Sequence, residues 1–110
     1  MNLPSSLSGA IVVIFHARHH AKEEGYAETS AHLSAMVEKA PGFLGMDSLR
    51  EDDASLTVSY WSSEEDVATW QQEMEHLAAQ KRGRAEWYRD YQVIVAKAFR
   101  SYEYMQEGPA

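Results

Sequence analysis

The spacing of apolar residues predicts four strands and two helices. Apolar residues alternate with polar ones or form short runs in strands, and they recur at three- and four-residue intervals on a helix. These criteria predict helices at Lys22–Ala40 and Ser62–Gln80, and strands at Ile11–Ala17, Phe43–Arg50, Leu56–Trp61 and Tyr91–Tyr104. The order β-α-β-β-α-β is typical of an α+β ferredoxin-like split βαβ sandwich, in which two helices cover one face of a four-stranded antiparallel sheet.

The third strand and the second helix together predict an aromatic pocket. Ser62 and Glu65 have the spacing of a capping box, which would start the helix directly after the strand. Trp61 ends the strand at the expected edge of the fold, and Trp70 lies on the apolar stripe of the helix that faces the sheet. Both tryptophans are therefore expected to line one pocket between the helix and the sheet.

His76 is the candidate for proton transfer in this pocket. An unperturbed histidine has a pKa of about 6.5, which suits proton transfer near neutrality. His76 follows Trp70 by six residues, and a regular helix would rotate it by about 120°. A shared pocket therefore requires a bend or break between Gln71 and His76. Further along, Gly83 predicts a break before a short second helical piece at residues 85–88.

The last predicted strand is apolar on both faces. Val93 and Val95 lie on one face, and Ile94 and Ala96 lie on the other. A single layer of helices covers only one face of a sheet, and a large exposed apolar patch is unusual on a monomer. The pattern therefore predicts a symmetric homodimer that buries the uncovered face, with Val93, Val95 or their alternate neighbours at its centre.

Composition and charge restrict the class of partner. The 110 residues are expected to form one domain at 10–105, between a flexible arm at 1–9 and a disordered tail at 106–110. The net charge of -7 disfavours nucleic acid and anionic membranes, because phosphate groups repel an acidic surface. The apolar run Ala10–Phe15 is too short to span a bilayer, and the first residues lack a signal-peptide pattern. The absence of cysteine fits a cytoplasmic location.

Three histidines lie at the end of the first predicted strand. His16 and His20 share a strand face, and His19 opposes them, so the three do not converge on one ion. No arrangement of carboxylates or cysteines completes a ligand set. No metal site is predicted here.

Several short motifs resemble the antibiotic biosynthesis monooxygenase family. They are Pro41-Gly42-Phe43-Leu44-Gly45-Met46, Val58-Ser59-Tyr60-Trp61-Ser62-Ser63, Trp70 with Glu75-His76, Ala79-Gln80, Gly83-Arg84 and Trp87-Tyr88, in this order. The likeness covers about residues 10–103. It implies a dimeric α/β barrel with a pocket between helices and sheet in each subunit. Activities of the family include cofactor-independent oxidation of aromatic polyketides by dioxygen, and haem degradation.

The haem-degrading members of this family have characteristic residues that can be compared with this sequence one by one. They use an asparagine on the first strand, a tryptophan on the second helix and, ten residues later, a histidine that ligates iron. Trp70 matches the tryptophan, but Gln80 stands at the ligand position and the only asparagine is Asn2. A carboxamide is a poor iron ligand beside imidazole. Haem degradation remains an alternative in which His76 or His16 binds iron in another geometry.

The resemblance implies first a cofactor-independent monooxygenase that oxidises a small aromatic or polyketide-like substrate with dioxygen. Such an enzyme supplies an aromatic pocket, a base and donors for a developing oxyanion. The expected base is His76, and the expected substrate-binding residues are Trp61, Trp70, Gln80, Arg84 and His16, without metal or cofactor. The alternatives are a haem-binding or haem-degrading monooxygenase, and a non-catalytic ligand-binding or stress-related dimer.

Overall fold

The computed structural model describes residues 3–20, 26–81 and 87–106, with the backbone alone at Tyr26, Thr29 and 76–81. The elements are β1 (Ile11–His19), α1 (Tyr26–Val37), β2 (Phe43–Glu51), β3 (Ala54–Trp61), α2 (Glu64–Lys81) and β4 (Tyr88–Lys97). The strands pair antiparallel in the order β2-β3-β1-β4. The predicted ferredoxin-like α+β fold is confirmed. In the described part of the chain, neither helix combines the length and apolarity needed to cross a membrane.

Both helices pack against the same face of the sheet, which we call the inner face. Val37 of α1 and Val67 of α2 form one buried cluster with Ile11 of β1 and Trp61 of β3. Side chains alternate between the two faces of a strand, and directly paired residues share a face. The register therefore places the odd-numbered residues of β1 and β3, and of β4 from Tyr91 onward, on the inner face. The even-numbered residues of β1 and β3, and of β4 from Asp90 onward, form the outer face, while a register shift places Tyr88 opposite His19 on the inner face.

The final strand is shorter than predicted. The expectation that it reaches Tyr104 is wrong, because the ladder stops at Lys97, which pairs with Ile11 at the start of β1. β4 is an edge strand beside β1, so no neighbouring strand continues past Ile11. The following residues bond to the N-terminal segment instead, where the backbone N–H of Leu7 donates to Ser101 Oγ at 2.6 Å. Tyr104 is consequently 87% exposed.

The hairpin between β2 and β3 is tighter than predicted, since the predicted strands end at Arg50 and begin again at Leu56, leaving residues 51–55 as the turn. Only Asp52 and Asp53 separate the two strands. Asp52 adopts a φ of 53°, in the left-handed region that aspartate tolerates better than most residues. β3 therefore begins at Ala54, and Ser55 becomes an inner-face residue of this strand.

The second helix is capped one residue later than predicted. The backbone N–H of Asp66 donates to Ser63 Oγ at 3.2 Å, and the Ser63 hydroxyl donates to the Asp66 carboxylate at 2.9 Å. The backbone N–H of Ser62 still donates to the carbonyl of Gly42 at 2.8 Å, so the chain turns only after Ser62. Ser63 is thus the N-cap, and the expected capping box of Ser62 and Glu65 is wrong.

We expect Ser63→Ala to lower the free energy of unfolding by about 1 kcal/mol, because a terminal amide of the helix loses its acceptor. The matched control is Ser62→Ala, which removes an exposed hydroxyl bond to the Gly42 carbonyl and should cost roughly 0.5 kcal/mol. Urea unfolding followed by circular dichroism measures both variants. A larger loss of stability in Ser62→Ala than in Ser63→Ala would instead identify Ser62 as the N-cap.

Candidate functional site

Two tryptophans close one end of the inner face. The Trp61 ring lies 6.1 Å from Trp70 and 5.4 Å from Phe43, between ring centroids. Its indole N–H donates to Ser59 Oγ at 2.8 Å, and none of its side chain is exposed to solvent. The structure brings Trp61 and Trp70 together as expected. It places Trp61 in the core, however, rather than at the edge of the fold, because β3 is an internal strand that α2 covers.

The second helix runs without a break from Glu64 to Lys81. The bend or break between Gln71 and His76 that a shared pocket requires is therefore absent, and the backbone position of His76 is rotated about 120° from that of Trp70. Residues 71–76 contain no glycine or proline and are mostly strong helix formers, which explains the continuity. The side chains of His76 and Gln80 lie outside the described part, as does all of Arg84. Their roles stay predictions.

The histidines of β1 are separated by the sheet. His16 lies on the outer face and is exposed, whereas His19 lies on the inner face with 1% of its side chain exposed. His16 therefore does not join the tryptophans on the inner face. Within the described ranges, no group of three or more histidine, cysteine, aspartate or glutamate residues is placed to hold a metal ion.

The opposite end of the inner face carries an aromatic cluster that sequence analysis missed. Phe15 stacks on Tyr91 at 5.2 Å, and Tyr88 contacts both rings edge-on at 5.5 and 5.7 Å. The His19 ring lies 5.1 Å from Tyr88. We call Phe15, His19, Tyr88 and Tyr91 the histidine–tyrosine cluster. The spacing of Phe15 and His19 on β1 gave a sequence signal for a shared face, but only pairing with β4 supplies the tyrosines.

Between these two ends, β3 presents a row of hydroxyl groups on the inner face. Ser55 Oγ lies 2.7 Å from His19 Nε2, Thr57 Oγ1 lies 2.9 Å from Ser48 Oγ, and Ser59 bonds to the tryptophan indole. We call Ser55, Thr57 and Ser59 the hydroxyl row. Thr57 is only half-buried and Ser48 is exposed, so the helices leave the middle of the row partly open. Hydroxyls between aromatic groups suit a planar ligand with oxygen substituents.

Two ion pairs hold the strand ends near the histidine–tyrosine cluster. The Arg18 guanidinium donates through Nε and Nη2 to the Asp90 carboxylate, and Arg89 pairs with Asp53 at 3.0 Å. The hydrogen bond from Arg18 lowers the pKa of Asp90 below its usual value. Both pairs are exposed, and such pairs contribute little stability. They link β4 to β1 and to the hairpin.

Comparison with known proteins gives matches in sequence over most of the chain. A family model described as antibiotic biosynthesis monooxygenase matches residues 10–82. The protein YqjZ of Bacillus subtilis (strain 168), described as uncharacterized, is 42% identical over 89 residues, which span 80% of this chain and 78% of YqjZ. The family match includes Trp61, Trp70 and the whole hydroxyl row.

Solved structures share the fold. SnoaB, a cofactor-independent oxygenase from Streptomyces nogalater, has a TM-score of 0.66 at 15% identity, covering 83% of this chain and 94% of SnoaB. MhuD with two manganese protoporphyrin IX molecules bound per active site has a TM-score of 0.54 at 23% identity, covering 91% of this chain and 99% of MhuD. At sequence identities of 15% and 23%, the similarity to these two structures shows a shared fold only.

Proposed function

Since the chain belongs to the antibiotic biosynthesis monooxygenase family, we propose that it is a cofactor-independent monooxygenase that oxidises a small aromatic or polyketide-like substrate with dioxygen. The observation that supports this most directly is the hydroxyl row between two aromatic groups on the inner face. Trp61 is fully buried, so the rings that can stack on a planar substrate are those of the half-buried Trp70 and the exposed Tyr91, and the hydroxyls provide partners for its oxygen atoms. SnoaB, which shares the fold, is a cofactor-independent oxygenase.

The proposed reaction begins with the loss of a proton. An electron-rich phenolic substrate becomes an anion, and the anion reacts with dioxygen directly. The protein must therefore supply a proton acceptor and groups that hold the anionic oxygen. The sequence suggests His76 as the acceptor, with Gln80 or Arg84 as partners of the oxygen, but the continuous α2 rotates the backbone position of His76 away from that of Trp70. His19, which lies on the inner face beside Ser55, is the candidate that the structure adds.

Oxygen consumption tests the proposal. With hydroxynaphthalenes in buffer containing a chelator, we expect protein-dependent oxygen uptake and a product that carries one atom of ¹⁸O from ¹⁸O₂. Thr57→Val removes a half-buried hydroxyl of the row at nearly constant volume, and we expect it to raise KM roughly tenfold, the effect of about 1.4 kcal/mol.

The matched control is Thr69→Val, which makes the same change at an exposed residue of α2 whose hydroxyl donates to the Glu65 carbonyl of the same helix. It should leave KM unchanged. Ligand binding without oxygen uptake would reject the monooxygenase and favour the non-catalytic ligand-binding dimer.

Haem degradation is the second candidate, and the donor set argues against it. β1 contains no asparagine, and the residue ten positions after Trp70 is Gln80, whose carboxamide is a poor ligand for haem iron. MhuD has the same fold, but a shared fold does not give this chain the missing asparagine and histidine. Titration with haem separates the candidates, because only a haem-binding protein gives a shifted Soret band.

We also propose that the protein is a cytoplasmic homodimer assembled through the outer face. Ile14 of β1 pairs with Val58 of β3 and with Ile94 of β4, so the three form one apolar row across the sheet. Ile94 is 43% exposed, and neither helix lies on this face. A second copy of the chain, related by a two-fold axis, would cover this apolar row with its own apolar row.

A further inference from the structure

We propose that Ser55 and His19 form a proton relay that removes the proton from a phenolic hydroxyl of the substrate. This inference rests on the proposed function, which requires a phenolic substrate that ionises in the site. It adds the identity of the groups that accept the proton.

The two side chains are held in a geometry suited to proton transfer. His19 Nε2 and Ser55 Oγ are 2.7 Å apart, and the two residues are 1% and 9% exposed. The backbone N–H of His19 donates to the Asp53 carbonyl at 2.7 Å, which fixes the end of β1 against the hairpin. A hydroxyl within hydrogen-bond distance of an imidazole is the arrangement by which histidine activates serine in general base catalysis.

Ser55 connects the buried imidazole to the substrate side of the sheet. It is the first member of the hydroxyl row, two residues before Thr57, so their Cα atoms are about 7 Å apart. Thr57 and Phe15 pair directly, as do Phe15 and Val93, and all three share the inner face. The rest of the protein covers these three residues only partly: Val93 is 40% exposed, and Thr57 and Phe15 are half-buried. A planar ring lying on Phe15 would place a hydroxyl substituent at Ser55.

The aromatic surroundings favour a ring at this position. Phe15 and Tyr91 are stacked with an interplanar angle of 29°, and Tyr91 is 37% exposed. Stacked aromatic side chains bind flat rings by dispersion and quadrupole interactions. Among the described residues, ring contacts place the phenol of Tyr88 on β4 against His19, and the Tyr91 ring against Tyr88 in turn.

The proton transfer from the substrate to His19 needs no oxidant, because no electrons leave the substrate in this step. In the tautomer with its proton on Nδ1, His19 accepts the hydroxyl proton of Ser55 at Nε2. Ser55 Oγ takes the phenolic proton as the substrate O–H bond breaks, so the serine hydroxyl is restored. The products are a phenolate and an imidazolium, and their attraction in a buried site stabilises the anion. Electrons pass from the substrate anion to dioxygen only in the later step.

Binding of 4-nitrophenol tests the relay without any turnover. Its phenolate has a separate absorption band, so ionisation on binding is visible directly. At a pH below the pKa of the free probe, the wild-type protein should bind it as phenolate. Ser55→Ala and His19→Gln should bind it as neutral phenol, with the phenolate fraction at least about tenfold lower, whereas Ser55→Thr, which keeps a hydroxyl, should retain the band.

The matched control is His32→Gln, the same change at an exposed residue of α1, which should retain the band.

A second measurement needs no variant. In protein with ¹⁵N-labelled histidine, binding of the probe should convert the His19 resonance to that of an imidazolium. A neutral His19 in the complex, or an unchanged phenolate band in Ser55→Ala, would overturn the relay, as would a failure of the wild type to bind the probe.

Oxygen uptake separates this inference from the proposed function. If both hold, Ser55→Ala should lower kcat roughly 100-fold, the ordinary contribution of a general base. Uptake by the wild type that persists in Ser55→Ala would keep the monooxygenase and reject the relay. Ionisation of the probe without any oxygen uptake would keep the relay and reject the monooxygenase.

Discussion

Replacing Ile94 by aspartate should convert the proposed dimer to a monomer. Ile94 stands on the outer face in register with Ile14 and Val58, at the centre of the apolar row. The substitution would place an unpaired carboxylate in each half of a two-fold interface, and burying such a charge costs several kcal/mol. We expect the dimer Kd to rise at least about 1,000-fold, which corresponds to about 4 kcal/mol.

The neighbouring Val95 provides a sharp control. Val95 has nearly the same exposure as Ile94, 46% against 43%, but it lies on the inner face. Val95→Asp should leave the dimer intact if the outer face is the interface. Light scattering after size-exclusion chromatography measures both variants and the wild type. A wild-type monomer at micromolar concentration would contradict the assembly, and dissociation by Val95→Asp alone would place the interface on the other face.

Trp61→Ala should cause the largest loss of stability among single substitutions in the core. The Trp61 side chain is fully buried against Trp70, Phe43 and the valines of both helices. Truncation would remove this apolar contact and leave a cavity where the two helices meet the sheet. We expect the free energy of unfolding to fall by roughly 3–5 kcal/mol. A typical domain is stable by only about 5–15 kcal/mol, so the loss is a large share of the total.

Urea unfolding, followed by far-ultraviolet circular dichroism, measures this loss. Phe99→Ala is the control, because it also removes an aromatic ring but at a residue that is 92% exposed. The control should change the free energy of unfolding by about 0.5 kcal/mol or less. Equal effects of the two substitutions would show that Trp61 is not part of the core.

Local patterns explain why much of the fold was predictable. The alternation along residues 56–61 and the three- and four-residue spacing after Ser63 depend only on neighbouring residues, so the sequence reveals which elements form. The ends of the elements depend on more distant partners. β4 stops at Lys97 because its neighbour begins at Ile11, and α2 starts after Ser63 because Ser62 still bonds to Gly42.

The candidate site was only partly predictable for the same reason. Trp61 and Trp70 are near each other in sequence, and the turn between strand and helix brings their rings together. His19 and Ser55 are 36 residues apart, and the sequence signal at each is a single polar residue in a strand.

By itself, the sequence determined the fold, the pairing of the two tryptophans and the apolar character of both faces of β4. Only the tertiary structure decided the register of β1 against β3 and β4, which brings His19 beside Ser55 on one side and Tyr88 on the other. The physical reason is that register is set by burial summed over the whole sheet, and no local spacing encodes it.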